Sequence, residues 1–186
     1  DFRKYLMPLR PFTLAFRALH LGRYGKDAED ERFYPLYIAY WDLVRGYESL
    51  SNEEWDEYQA NPDSAFDFQR LYGSKMLVAN VELRFPLLGL LGIGKGYYGA
   101  WPLEFYGFFD WGLAYAQNPG SYYWGGDTEE DVKPWFAGGN RRPIQSYGIG
   151  LRTNLFGYLI LGLNYVYPMD RPVRGWHFQL SISPGF

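Results

Sequence analysis

The chain has 186 residues, 21% of them aromatic, no cysteine and a formal net charge of −3. That length suits one domain; the absence of cysteine excludes a disulfide framework and a thiolate metal site, and interspersed charges of both signs give no reason to propose nucleic acid. No run of about 18 apolar residues occurs, which excludes a helical membrane protein but not a membrane β-barrel, whose lumen and loops are polar.

Side chains on a strand alternate between its faces, so a strand with one apolar and one polar face shows a period of two. Six segments show it in turn. Phe12, Leu14, Phe16 and Ala18 share one parity, against Thr13, Ala15 and Arg17. Leu77, Ala79, Val81, Leu83 and Phe85 stand against Asn80, Glu82 and Arg84. Leu103, Phe105, Phe109, Trp111, Leu113 and Tyr115 stand against Glu104, Tyr106, Asp110 and Gly112. Tyr147, Ile149 and Leu151 alternate with Ser146, Gly148, Gly150, Arg152 and Asn154. Leu159, Leu161, Leu163, Tyr165 and Tyr167 alternate with Gly162 and Asn164. The last segment sets Trp176, Phe178, Leu180, Ile182 and Phe186 against His177, Gln179, Ser181, Ser183 and Gly185. It ends on an aromatic residue, the form of the closing strand of an outer-membrane barrel. Each run approaches the roughly 9–11 residues that a tilted strand needs to cross a bilayer. Charge within the six runs keeps to the polar parity; on a lipid-facing parity near mid-bilayer it would cost about 2–4 kcal/mol.

The connections alternate in length. Leu155–Gly157 is a short turn and 87–102 joins two strands at the same end. The connections 25–73, 117–143 and 168–175 are long or charged. In the first, Ser51-Asn-Glu-Glu54 reads as a capping box opening a short helix around Trp55 and Tyr58. Short periplasmic turns and long extracellular loops fit a bacterial outer-membrane barrel, with Phe186 at the periplasmic rim. The expected fold is therefore all-β, an antiparallel up-and-down transmembrane barrel. About six strands are legible, with a partial one before Pro11. Single-chain barrels have about eight or more, and lipid cannot satisfy open edges. Residues 1–186 are thus expected to be the C-terminal part of a larger barrel, or to close with strands of neighbouring polypeptides. The start at Asp1, without Met or signal peptide, points to processing or truncation.

The sequence also resembles a known family. Val44-Arg45-Gly46-Tyr47, inside the longest loop, resembles the V-R-G-F/Y signature of BamA/TamA-like barrels, the bacterial surface antigen superfamily. Gly73–Pro86, Phe108-Phe-Asp110-Trp-Gly112, Gly148-Ile-Gly150-Leu-Arg152 and Leu163–Pro168 resemble its following strands, in order, and Phe186 its closing signal. The resemblance implies that the loop folds into the lumen, where Arg45 pairs with the acidic side chains Glu82 and Asp110. Gly46 would let the tip turn, and Tyr47 would pack on the wall. It implies insertion of outer-membrane proteins or movement of a polypeptide across the bacterial outer membrane. The implied partners are outer-membrane lipid and lipopolysaccharide, other strands of the barrel, and client outer-membrane proteins. The alternatives are a membrane anchor or export barrel for a fused module such as a β-propeller, a passive pore, and a soluble lipocalin-like binder.

Other motifs carry less. Gly94-Lys-Gly96-Tyr-Tyr-Gly99 matches a phosphate loop by letter, but Trp101-Pro102 and a strand follow where a helix is needed. His20 and His177 stand in no metal spacing, and Asp127–Asp131 lacks a calcium-loop pattern. No nucleophile elbow occurs. No cofactor, metal or enzyme activity is expected.

Overall fold

The structure is a computed structural model that describes residues 1–30, 32–48, 67–118, 128–171 and 175–184. Its nine strands, in chain order, are β1 (Phe2–Leu9), β2 (Phe12–Gly22), β3 (Leu36–Tyr37), β4 (Tyr72–Gly73), β5 (Lys75–Pro86), β6 (Leu103–Tyr115), β7 (Ile144–Leu155), β8 (Leu159–Pro168) and β9 (His177–Pro184). Among the described residues two short α-helices, α1 (Leu87–Leu90) and α2 (Glu129–Val132), and two 3-10 turns, Phe68–Leu71 and Trp135–Ala137, sit in connections. Seven strands form one antiparallel sheet in the order β1-β2-β5-β6-β7-β8-β9, and β3 pairs with β4 as a separate ribbon. Among the described residues no strand joins β1 to β9, so the sheet is open at both edges.

The alternating runs become β2 and β5–β9, each paired with its sequence neighbour in the sheet. Register carries one parity across the wall. Glu82 lies opposite Phe108, Phe108 opposite Gly148, Gly148 opposite Val166, and Val166 opposite His177. On this face Asp110, Ser146, Asn164 and Gln179 are buried. On the other face Val81, Leu83, Phe109, Tyr147, Ile149, Leu163, Phe178, Leu180 and Ile182 are exposed. The turn between β7 and β8 is closed locally: the Gly157 amide donates to Asn154 Oδ1 at 2.8 Å, and Phe156 and Gly157 both take positive φ.

Two expectations change. The sheet has seven strands rather than six, because the segment before Pro11 is a full eight-residue strand. It carries no alternation signal because every residue of β1 is exposed, so neither face is sorted by burial. Its Lys4 shares the outward parity, opposite Phe16, and an exposed lysine is a common guard on an edge strand. Leu113, expected outward, is 1% exposed. Lys75 on the same parity is also buried, beneath Glu29 and Tyr24. At the upper ends of β5 and β6 the wall has therefore left its exposed band and joined the loops. The expected capping box, Trp55, Tyr58, Asp127 and Phe186 lie outside the described residues.

The loop after β2 returns over the polar face. Ile38, Ala39, Leu43, Val44 and Tyr47 pack with Leu19, Met76, Val78, Ala114 and Ile144 in the principal apolar cluster. Beneath it remains a hollow of about 710 Å³, lined by residues of all seven strands, from Arg3 on β1 to Ser183 on β9. For both edge strands to reach one cavity, the sheet must curl around it.

Candidate functional site

Arg45 hangs from the loop at the boundary between that apolar cluster and the hollow. Its Nε and Nη2 donate to the two oxygens of Asp110 at 2.6 and 2.7 Å, a fork on a carboxylate. Its Nη1 lies 2.9 Å from Glu82 Oε1, and its backbone amide donates to Asp110 Oδ2 at 3.2 Å. The guanidinium also lies 3.6 Å from the centroid of Phe108, which adds a cation–π contact. Asp110 is fully buried and Arg45 is 7% exposed. A charge so removed from water persists only when paired and hydrogen-bonded, and here each is. Asn80 completes the site by donating to Asp110 Oδ1 at 2.8 Å and to the Leu43 carbonyl at 2.7 Å.

The backbone turns sharply at Gly46, with φ +90, where a side chain would be strained and its Cβ would lie 2.8 Å from Val166. Tyr47 then reaches the opposite wall. Its hydroxyl donates to the Gln145 carbonyl at 2.6 Å and lies 3.2 Å from Asp170 Oδ2. Asp170 also accepts the Gln145 amide at 2.8 Å, and Arg171 donates to the Gly46 carbonyl at 2.7 Å. The start of the β8–β9 loop thus clasps the tip. Burial pushes the Tyr47 phenol well above its usual range, and the Asp170 carboxylate pushes the same way.

Below Arg45 an ion network descends the wall. Glu82 also holds Arg84 at 2.8 Å and faces Arg152 at 3.8 Å. Arg152 pairs with Glu104 and covers the Tyr106 ring, and Tyr106 donates to Asn164 at 2.6 Å. At the outer end, Glu29 accepts from the Ser74 hydroxyl at 2.6 Å and from the Gln117 and Asn118 amides at 2.8 Å each, with Lys75 at 3.5 Å. Burial pushes this carboxyl up, but its three hydrogen-bond donors and the Lys75 charge outweigh burial and hold it below its usual value.

The structure brings Arg45, Gly46, Tyr47, Glu82 and Asp110 into one constellation, and places Phe178, Leu180 and Ile182 on the exposed face with Trp176 just before β9. Sequence reasoning missed Phe108, Asn80, Asp170, Arg171 and Glu29. Phe108 had a signal, since it is an aromatic on an otherwise polar parity. Asn80 shared the parity of Glu82 and Asp110. The other three stand in loops whose return path no local pattern encodes. Among the described residues, no group of three or more His, Cys, Asp or Glu could hold a metal ion. No protein-family model, curated protein or solved structure matches this chain.

Proposed function

We propose that this chain is wall and plugging loop of a bacterial outer-membrane barrel of the BamA/TamA-like type, working in insertion or translocation of outer-membrane polypeptides. The observation that carries the reading is inverted burial. A water-soluble sheet hides its apolar face and wets its polar one. Here the face that carries Glu82, Asp110, Ser146, Asn164 and Gln179 is buried, with an apolar part only where the loop packs on it, and the other, largely apolar face is exposed across the sheet. Exposed apolar surface on that scale marks a membrane or protein contact.

The dimensions support lipid. Tyr147, Tyr165, Tyr167, Trp176 and Phe178 pack ring on ring at the upper end of the outward face, with Trp176 stacked 4.8 Å from Tyr165. Phe12, Phe85 and Phe105 associate at the lower end, and Trp101 meets Phe156 in the turn below. Nine residue steps lead from Tyr147 to Phe156 along β7 and its turn. At about 3.3 Å per residue and a tilt near 40° they span about 23 Å, close to the roughly 25 Å apolar band of a membrane barrel. The latch supports the family, since the loop is pinned by the residues that the resemblance assigns. A loop packed across one end of the hollow also speaks against a passive pore.

The test is reconstitution into phospholipid vesicles, followed by addition of a urea-unfolded outer-membrane protein. Its folding is read as heat-modifiable gel mobility. The proposal expects faster folding than in protein-free vesicles. Insertion without acceleration would make the chain an anchor, and a chain that stays in the aqueous phase would refute the barrel.

A further inference from the structure

We propose that the connection from β5 to β6, residues 87–102, is a foot that lies in the headgroup layer of the periplasmic leaflet. This rests on the barrel reading. The connection occupies the same rim as the tight β7–β8 turn, because Leu103 is in register with Thr153. It is far longer than that turn, and it is built rather than slack. The Ile93 amide donates to the Leu88 carbonyl at 2.9 Å and the Ala100 amide to the Ile93 carbonyl at 2.8 Å. Its two halves touch so closely that a Cβ at Gly89 would stand 1.9 Å from the Tyr97 carbonyl oxygen. The Tyr97 hydroxyl ties it to the β1–β2 turn by donating to the Pro11 carbonyl at 2.9 Å.

This ordered backbone turns Leu90, Leu91, Ile93, Tyr97 and Trp101 outward, between 40% and 63% exposed. A loop meant for water would carry polar residues at those places. Between Arg84 and Glu104 the only charge is Lys95, a cation. Leucine and isoleucine with tyrosine, tryptophan and a lone lysine are the composition of a segment at a lipid interface, where anionic headgroups attract the cation. The patch is also continuous with the outward face. Trp101 meets the 81%-exposed Phe156 edge to face at 6.0 Å, and its indole N–H donates to Thr153 Oγ1 at 2.6 Å. The occupant argued for is therefore the lipid surface that bathes that face, rather than a periplasmic protein.

The chain has no cysteine, so single-cysteine variants take one fluorophore each. Leu91→Cys reports the foot and Leu180→Cys reports the outward face of β9. Both are labelled with an environment-sensitive dye and placed in vesicles of zwitterionic and anionic phospholipid. Quenchers are iodide in water and nitroxides attached either near the headgroup or deep in the acyl chain. The foot expects blue-shifted emission at 91, protection from iodide, and stronger quenching by the shallow nitroxide than by the deep one. Iodide quenching at 91 with lipid quenching at 180 overturns the foot and leaves the barrel standing. Protection at 91 without any nitroxide quenching means that protein covers it, which also overturns the foot. Iodide quenching at both positions removes the barrel reading, and the foot with it. A Leu90→Ser, Leu91→Ser, Ile93→Ser variant carrying the label on Leu180→Cys should keep lipid quenching at 180. With the label on Trp101→Cys instead, the same triple serine background should lose protection from iodide.

Discussion

Arg45→Ala is the most informative perturbation. It removes two charge-assisted hydrogen bonds to Asp110, the ion pair with Glu82, and the stack on Phe108. Asp110 keeps Asn80 and the amide of residue 45, and Glu82 keeps Arg84 and Arg152. Neither carboxylate is wholly abandoned, but they then face each other without the cation between them. Breaking one partner of a buried pair costs about 3–5 kcal/mol, and the retained donors place this case near the lower figure. At about 1.4 kcal/mol per tenfold, that raises the released population of the loop by two or more powers of ten. Arg45→Lys should recover only part of the loss, because an ammonium cannot present a planar fork to Asp110 while reaching Glu82. The assays are heat-modifiable mobility of the folded protein and protease access to the 25–73 loop. A lower unfolding temperature and faster cleavage are expected. An alanine variant indistinguishable from the parent in both would refute the latch, and with it the role assigned to Glu82 and Asp110.

Tyr47→Phe keeps the ring and deletes the hydroxyl that meets Gln145 and Asp170. It should cost about 1–2 kcal/mol and loosen the β8–β9 loop, read by proteolysis there, with less effect on the Arg45 pair. Gly112→Val should displace the loop without touching an ion pair, because even a Cβ would lie 2.5 Å from Val44 and 2.7 Å from Ile38. Overpacking of this kind costs about 1–3 kcal/mol, visible as a lower unfolding temperature. Glu29 has a folded pKa below its usual value of about 4.5, so its contribution is complete above that value and is lost as pH falls through the folded pKa. Hydrogen exchange at Gln117 and Asn118 should accelerate on acidification in the parent, beyond the intrinsic pH trend, and show no such step in Glu29→Gln.

The wall was legible because a sheet with one exposed apolar face and one buried, largely polar face imposes a period of two on the sequence, and β2 and β5–β9 carry it. β1 was not, because a strand exposed on both faces is under no such sorting. The same logic separates the site residues. Glu82 and Asp110 could be placed on the hollow side by parity, and Arg45 by its motif, since each belongs to a local pattern. Asp170, Arg171 and Glu29 act across gaps of more than forty residues, by loops whose path is set by what they meet at the far end. Leu113 shows the limit of parity itself. Alternation gives the side of a strand, but not how far along it the exposed band extends.

Besides the Arg17 bond from β2 to the Asp42 carbonyl, three anchors of unlike chemistry hold the loop, and their distribution over the sheet is uneven. Arg45 binds β5 and β6 through Glu82 and Asp110. Tyr47 binds β7 at Gln145 and the loop after β8 at Asp170. Glu29 binds the start of β5 and the end of β6 through Ser74, Lys75 and the amides that follow Tyr115. All three pins act on β5–β8 or their ends. The β9 edge is held as well, since Glu48 of the loop reaches Gln179, whereas among the described residues β1 pairs with β2 alone. A loop fixed in this way stiffens β5–β9 while leaving the β1 edge to gain or lose a neighbour. For the barrel proposed above, β1 would be the edge that admits another strand, while the loop rather than closure keeps the remaining strands in register.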